Sequence, residues 1–286
     1  MACGRDHHGS IGPIELSSAT VSIAELTELE DLRELAELLA VVWGRPGEPP
    51  ISSDILKAFA HSGNYVSGAH VDKRLVGGLV GWFGGVPPHE LHLHSHILGV
   101  VGGNDAHGVG FELKQHQRRW CLARGIKVIE WTTDPLVRRN AYFNLIKLGA
   151  QAQEYLINVY GEMTDGINAG EESDRLLISW RLDSPSAEAA AAGRAPEPHL
   201  DMLLRDGAAP VLSVGDAGDP VQTRSSSRVL LCQVPEDIVA IRRSNPTLAR
   251  AWRLALRKTL SDAMAAGYEV IGATRSGWYV LETGAN

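Results

Sequence analysis

Leucines recur at helical spacing between Leu29 and Leu39, and this stripe predicts an amphipathic helix near the start of the chain. Thr27 and Glu30 have the spacing of a capping box, so the helix is expected to begin there. Residues 43–50 contain several prolines and glycines, which end the helix because proline cannot continue it and glycine frees the chain to turn. The pattern beyond this break predicts a second short helix.

The middle of the chain alternates between strand and helix patterns. Residues 65–71 and 75–83 are rich in valine, glycine and aromatic residues, and the short polar segment between them indicates an antiparallel hairpin. The further elements predicted are strands at 91–101, 126–133, 153–160 and 176–182, a glycine-rich loop at 102–110, and helices at 111–124 and 137–148.

A change in composition divides the chain. Residues 184–228 are rich in alanine, proline, glycine and serine, which is typical of a linker. Beyond them we predict a strand at 229–234, a helix at 248–266 and paired strands ending at Leu281. Residues 123–129 and 266–271 share a helix, glycine, strand pattern that suggests a partial internal repeat. The expected organisation is a flexible N-terminus at 1–15, a first domain at 16–183, a linker-like segment at 184–228 and a C-terminal α/β subdomain at 229–286.

Composition and charge narrow the class of protein. The 286 residues carry a net charge of −7, which argues against a nucleic-acid surface because such a surface needs many cationic contacts to phosphates. No apolar run approaches the roughly 20 residues that cross a bilayer, and the polar start lacks the apolar region of a signal peptide. We therefore expect a cytoplasmic protein without a membrane partner. The scattered cysteines are expected to be free thiols, and no oligomeric state is predicted.

The glycine-rich loop is the main candidate for chemistry. Gly108, Val109 and Gly110 open the helix that follows a predicted strand. Unpaired amides at a helix N-terminus, together with the positive end of the helix dipole, bind phosphate groups, and glycine lets a phosphate approach closely. Glycine-rich turns also occur at ordinary strand-to-helix connections, so the order of the surrounding elements matters.

That order, over residues 16–182, resembles the GNAT superfamily of N-acetyltransferases. The family's pyrophosphate motif has Arg or Gln, two free positions, Gly, one free position, then Gly or Ala; Gly108 and Gly110 match, whereas Asp105 stands at the Arg or Gln position. Downstream, Asn140 and Ala141 match, but Leu145 replaces the tyrosine that often protonates the departing thiolate. His107 or Lys114 could supply the missing positive charge, and Tyr142 or Tyr155 could replace the tyrosine. A weaker resemblance to a bacterial subgroup of predicted GNAT acyltransferases extends over almost the whole chain.

The resemblance implies a fold, a cofactor and an acceptor. The fold would be α/β (α+β), with a mixed, mostly antiparallel central sheet and a smaller C-terminal α/β unit that resembles a partial second GNAT half. The cofactor would be acetyl-CoA or another acyl-CoA, with succinyl-CoA as one candidate donor, and the acceptor a small-molecule amine such as an amino acid. The strands on either side of the phosphate loop would splay apart to admit the acyl-pantetheine chain, and backbone amides near Gly99, Val100 and Val101 would polarise its carbonyl. The implied cofactor-binding residues are Leu98, Gly99, Val100, Val101, His107, Gly108, Val109, Gly110, Phe111 and Asn140.

Three histidines alternate along the strand before the loop. His92, His94 and His96 are spaced by two residues, so their side chains are expected on one face. A histidine can accept an ammonium proton near neutral pH, and the resemblance places general bases on this strand, so His96 and His94 are the candidate bases. The alternatives are hydrogen-bonded structural histidines or a metal site, although the spacing is wide for one zinc ion.

Two charged residues are candidates for acceptor binding. Glu130 could bind the acceptor as a carboxylate base, with a strand-edge salt bridge as the alternative. Arg175 could bind a substrate carboxylate through its guanidinium, with a structural ion pair as the alternative. A noncatalytic acyl-CoA-binding module is the competing function. A nicotinamide dehydrogenase is disfavoured because the loop lacks the full dinucleotide fingerprint.

Overall fold

A seven-stranded mixed sheet forms the larger part of the fold. The computed structural model describes residues 21–85, 90–101, 108–161 and 172–284. The sheet has the order β1-β2-β3-β4-β5-β7-β6, in which only β4 and β5 run parallel. Its strands are β1 Val21–Glu25, β2 Tyr65–Val71, β3 Arg74–Gly84, β4 His92–Val100, β5 Val128–Thr133, β6 Gln151–Leu156 and β7 Arg175–Arg181.

Helices cover the two faces of this sheet. On one face Leu32 and Leu35 pack with Val80 and Ile97. On the other face Leu113 packs with the strand residues that alternate with those of the first face. The helices of the first face are α1 Leu29–Val42 and α2 Ser53–His61; those of the second are α3 Val109–Leu122 and α4 Arg138–Tyr142, which continues into a π-helical turn at Phe143–Lys147.

The order β1-α1-α2-β2-β3-β4-α3-β5-α4-β6-β7 confirms the expected GNAT fold and its mostly antiparallel sheet. The strand β1, which pairs with β2, was not predicted. The predicted hairpin is present, and its two turn residues, Asp72 and Lys73, have φ of 49° and 64°. The predicted capping box is wrong: Glu28 is the N-cap of α1 without a side-chain cap, and the Thr27 hydroxyl donates to the Glu28 carboxylate.

A second sheet of five strands follows in the order β11-β12-β10-β8-β9. The linker-like reading of residues 184–228 is wrong at the level of secondary structure, because this segment contains two helices and two strands that bury Leu212 and Ala187. The division of the chain into domains stays a prediction. The elements are α5 Pro185–Ala191, α6 Leu200–Arg205, β8 Ala209–Val214, β9 Pro220–Gln222, β10 Val229–Gln233, α7 Ile238–Ser244, α8 Pro246–Ala265, β11 Tyr268–Ala273 and β12 Trp278–Thr283.

The two sheets share one feature of strand order. In the first, β7 returns to lie between β5 and β6; in the second, β12 returns to lie between β10 and β11. The glycines Gly125 and Gly267 end α3 and α8 with positive φ, as the shared sequence pattern suggested. By sheet position, however, β11 corresponds to β6 and not to β5. An internal duplication therefore stays a prediction.

Buried ion pairs join α7 and α8 to the first sheet. Asp134, which directly follows β5, binds Arg242 and Arg253, and all three side chains are buried. One turn further along α8, Arg257 binds Asp174 at the start of β7, at 2.7 Å. A single hydrophobic core extends across the same boundary, from Trp131 and Ile178 to Trp252 and Leu256. Within the described ranges no helix is long and apolar enough to cross a membrane, and Cys121 and Cys232 are buried free thiols.

Candidate active site

The strands β4 and β5 separate after a short stretch of pairing. Their register includes only Leu93 opposite Ile129 and His94 opposite Glu130, although β4 continues to Val100 and β5 to Thr133. The expected gap between these parallel strands is therefore present, and it opens toward the C-terminal ends of both strands.

A β-bulge in β4 lies at the base of this gap. Val80 pairs with Ile97 and Gly81 with Ser95, so that His96 is the extra residue. A side chain at position 81 would not fit, because its Cβ would lie 2.8 Å from the carbonyl oxygen of His94. The bulge reverses the alternation along β4, since Leu93 before it and Leu98 after it both face the α3 side.

This reversal decides which backbone amides face the gap. The Val101 amide donates to the Val76 carbonyl of β3 at 2.8 Å. Because antiparallel pairing alternates, the Gly99 amide points to β3 as well, and the amides of Leu98 and Val100 point toward β5. Of the amides expected to polarise a carbonyl, that of Val100 faces the gap, whereas those of Gly99 and Val101 are directed to β3. Leu98 is the second gap-facing donor.

The start of α3 lies beside the same end of β4. Gly108 is its N-cap with φ of 85°, a conformation that favours glycine. A Cβ at Gly108 would meet no atom within 4 Å, and one at Gly110 would lie 3.6 Å from Leu98. Val109 is buried in the core, and the Phe111 amide donates back to the Gly108 carbonyl at 3.0 Å. Asp105 and the predicted ligand His107 lie outside the described residues.

Lys114 is buried at the base of the gap, on the α3 side. Its Nζ donates to the Ser95 hydroxyl at 2.8 Å and lies 3.7 Å from the centre of the Trp131 ring. Ser95 belongs to the bulge and Trp131 follows the last paired residue of β5, so the ammonium bridges the two strands where they part. Burial lowers the pKa of Lys114 to about 7. The expectation that Lys114 serves the pyrophosphate is not supported, since its side chain points into the core.

Two of the three predicted histidines, His94 and His96, form one cluster with Trp82. The rings of His94 and His96 lie 5.0 and 4.5 Å from the Trp82 ring and 5.7 Å from each other, centre to centre. Burial, and then the neighbouring His96, His92 and Lys114, lower the pKa of His94 to about 4. Desolvation also lowers the pKa of His96, part of whose ring reaches solvent. Both imidazoles are therefore neutral at pH 7. Across the described residues, no group of three or more possible ligands could hold a metal ion.

The two predicted acceptor-binding residues lie in different surroundings. Glu130 is half-buried opposite His94, and its carboxylate lies 3.6 Å from Nε2 of His92. Arg175 is buried, donates to the Asp174 carbonyl at 2.9 Å and lies 5.6 Å from the Tyr160 ring centre. Glu130 therefore belongs to the histidine cluster, whereas Arg175 lies beside the Asp174 ion pairs. Binding of an acceptor by either stays a prediction.

The residues proposed to replace the family tyrosine have other partners. The Tyr142 hydroxyl donates to Glu197, and burial, followed by this hydrogen bond, raises the pKa of Tyr142 to about 12. The Tyr155 hydroxyl is buried and donates to Asp174 at 2.8 Å. Asn140 donates from its side-chain amide to Thr133 at 3.3 Å, which links α4 to the end of β5. Leu145 fills a core position.

Several residues of the site were not identified from the sequence. Trp82 and Ser95 carry no motif, and their contacts depend on the register of β3 against β4. Lys114 was considered only as a possible partner of the pyrophosphate, although a signal for its burial did exist: Lys114 and Gln117 fall on the helical stripe of Gly110, Leu113 and Trp120, where a charge is unusual.

Comparison with known proteins gives structural likeness only. No family model matches the sequence, and no curated protein matches it. Among solved structures, the chain is similar to Naa50 from Arabidopsis thaliana in complex with a CoA bisubstrate analogue, at 20% identity over 56% of this chain and 97% of that one, with a TM-score of 0.44. It is also similar to an N-acetyltransferase from Staphylococcus aureus Mu50 (14% identity, 57% and 99% of the two chains, TM-score 0.45). A third is the ribosomal-protein-S18-alanine N-acetyltransferase from Escherichia coli (14%, 58% and 96%, TM-score 0.44). The fold assignment rests on the element order and strand pairing given above.

Proposed function

We propose that this chain is an acyl-CoA-dependent N-acyltransferase that moves an acetyl or other short acyl group, such as succinyl, to the amine of a small molecule such as an amino acid. The observation that carries the proposal is the gap between β4 and β5, into which the Leu98 and Val100 amides point. A narrow gap lined by backbone donors suits an extended thioester chain, whose amides and carbonyl need such partners.

The residues at the start of α3 fit the pyrophosphate of a CoA donor. The amides of Val109 and Gly110 have no carbonyl one turn earlier in the helix, and the positive end of the helix dipole lies beside them. Gly108 and Gly110 leave room, because a Cβ there would meet nothing closer than 3.6 Å. Asn140 lies on the other side of the gap, at the end of β5. Acyl-CoA, when bound, supplies the activated carbonyl.

The histidine cluster supplies the base in this proposal. An ammonium acceptor must lose one proton before its nitrogen can form the amide bond while the carbon–sulfur bond breaks; a second proton ends on the CoA thiol. His96 and His94 are neutral and can accept the first proton. His96 is the better acceptor, because its ring reaches solvent and can pass the proton on. Tyr142 is the candidate acid for the thiolate, although its proton is already donated to Glu197.

A noncatalytic acyl-CoA-binding module is the second candidate. The specific observation in its favour is that Leu145 fills the place of the family tyrosine while both Tyr142 and Tyr155 donate to carboxylates. Such a module would bind acyl-CoA at the same gap without consuming the thioester.

The test is a thermal-shift panel with CoA, acetyl-CoA, succinyl-CoA and NAD, followed by thiol release with amine acceptors. A ligand at about 100 times its dissociation constant should add about 2.7 kcal/mol to the free energy of unfolding. Gly110→Asp, which adds an anion at the start of α3, should abolish the CoA shift. Gly110→Ala is the matched control, because its Cβ makes only ordinary contacts at 3.6 Å.

The outcomes separate the two candidates. A shift with acyl-CoA together with thiol release supports the enzyme. A shift without release under any acceptor supports the binding module. The absence of a shift with every CoA species, or an equal shift in Gly110→Asp, would refute both.

A further inference from the structure

A cavity of about 510 Å³ opens on the sheet face opposite α3 and α4. Its floor is formed by residues of β4, β5, β6 and β7, among them His92, Glu130, Gln151 and Ser179. These side chains alternate with core residues, as Ser179 does with Ile178 and Trp180. The helices α1 and α2 contact β2, β3 and β4 on this face, so the cavity lies beside them. Its volume is in the range of small-molecule sites.

The cavity adjoins the base of the gap. Glu130 lines the cavity, and with His94 it also forms the last register pair before β4 and β5 separate. His92, which lines the cavity, belongs to the same row as the candidate bases His94 and His96. Lys114 and Trp131 lie on the other side of the sheet. A molecule in the cavity would therefore reach the gap from the face opposite α3.

The lining chemistry points to one class of ligand. Arg181 lies 3.4 Å from Glu90 and 3.6 Å from Asp183, so its charge is balanced before any ligand arrives. Glu130 has His92, neutral at high pH, as its cavity neighbour at 3.6 Å, and so offers a negative charge in a half-buried place. The floor beside it, at Ser179 and Gln151, offers hydroxyl and amide groups. A protonated amine with several hydrogen-bonding groups complements this lining, whereas an apolar amine would leave these groups unpaired.

We propose that this cavity holds the acceptor, and that the acceptor is a small primary ammonium compound bearing hydroxyl or amide groups, with its ammonium at Glu130 and its polar body over Ser179 and Gln151. This inference rests on the proposed function and specifies the acceptor class of the same site. Glu130 draws the cation to the point where the strands part, and the histidine row begins beside it.

The test uses the full chain without CoA and three probes of similar size: glucosamine, its neutral analogue N-acetylglucosamine, and the apolar phenethylamine. Binding is followed by NMR of protein labelled with ¹³C in the histidine rings, with the His92 signal assigned through His92→Gln and the pH held where both amines are protonated. We expect glucosamine to shift the His92 signal with saturation, and the other two probes to bind at least about tenfold more weakly.

A carboxylate variant tests the ammonium contact. Glu130→Gln should weaken glucosamine binding by about tenfold or more, whereas Glu154→Gln, on an exposed residue of β6, should leave it unchanged. The thermal shift with acetyl-CoA should persist in Glu130→Gln, which shows that the variant is folded and keeps its donor site.

Three results would overturn the inference: no saturable shift with glucosamine, phenethylamine binding as tightly as glucosamine, or equal glucosamine affinity in Glu130→Gln and the wild type. Failure of the proposed function is distinguishable, because it appears as the absence of any stabilisation by CoA species.

Discussion

The buried ammonium of Lys114 gives the sharpest quantitative prediction. It has no carboxylate within its described contacts, which are Ser95, Gln117 and the Trp131 ring. Burial lowers its pKa from the ordinary 10.5 to about 7. Between these two values the unfolded chain binds the proton and the native chain does not, so the free energy of unfolding rises with pH across this window.

The magnitude follows from the pKa difference. Each unit of pKa difference corresponds to about 1.4 kcal/mol of free energy. Holding Lys114 in its charged form therefore costs the native state about 5 kcal/mol relative to the unfolded chain. Lys114→Met keeps the length of the side chain and removes the titration. The free energy of unfolding of wild type minus that of Lys114→Met should then rise by about 2.3 kcal/mol from pH 7 to pH 9, slightly less than the full slope because native Lys114 is half protonated at pH 7. The lost contacts to Ser95 and Trp131 shift this difference by a constant and leave its slope unchanged.

The assay is urea unfolding at fixed ionic strength in steps between pH 7 and pH 9, with each free energy taken by linear extrapolation. Lys147→Met, on an exposed residue of the π-helical turn, is the matched control and should give a flat difference. A difference for Lys114→Met that varies by less than about 0.5 kcal/mol over this range would refute the reasoning, because it would mean that Lys114 keeps its proton in the native state.

Three further predictions concern the strands around the gap. Asp134→Asn removes the buried carboxylate that Arg242 and Arg253 share, so we expect the free energy of unfolding to fall by about 3–5 kcal/mol in denaturant unfolding. A fall below about 1 kcal/mol would contradict the pairing. Gly81→Ala forces a Cβ against the His94 carbonyl oxygen, and we expect a loss of about 1–3 kcal/mol by the same assay, whereas an unchanged midpoint would argue against the bulge. The His94 ring signal should stay at its neutral position from pH 8 down to pH 5 in an NMR titration, because its pKa is lowered to about 4; a midpoint near 6.5 would contradict its burial.

The sequence predicted the elements of the first sheet because their signals are local. The hairpin at 65–83 is bounded by a short polar turn, and the strand before the loop alternates regularly through His92, His94 and His96. The bulge could not be predicted, since it depends on how Gly81 of β3 pairs with Ser95, which are far apart in sequence. The bulge reverses which residues of β4 face the gap. Of the amides predicted from the sequence, only that of Val100 therefore faces it.

The second sheet was predicted less well because its first two strands, β8 and β9, both contain a proline. β9 is three residues long and begins with a proline, which is tolerated at a sheet edge. β8 pairs in parallel with β10, and no local sequence pattern specifies this pairing. The composition of residues 184–228 therefore resembles that of a linker although the segment is folded.

The ion pairs between α8 and the first sheet set a limit on dividing this chain. Arg253 and Arg257 are one helical turn apart and engage the carboxylates of Asp134 and Asp174, which stand at the ends of two strands of the first sheet. A chain cut after residue 183 would leave both carboxylates without these arginines. It would also expose to solvent the core surface that Trp252 and Leu256 cover. The two sheets should accordingly melt in one cooperative step, and we expect that residues 21–183 cannot be separated from the C-terminal sheet without losing the geometry of the strands that form the gap.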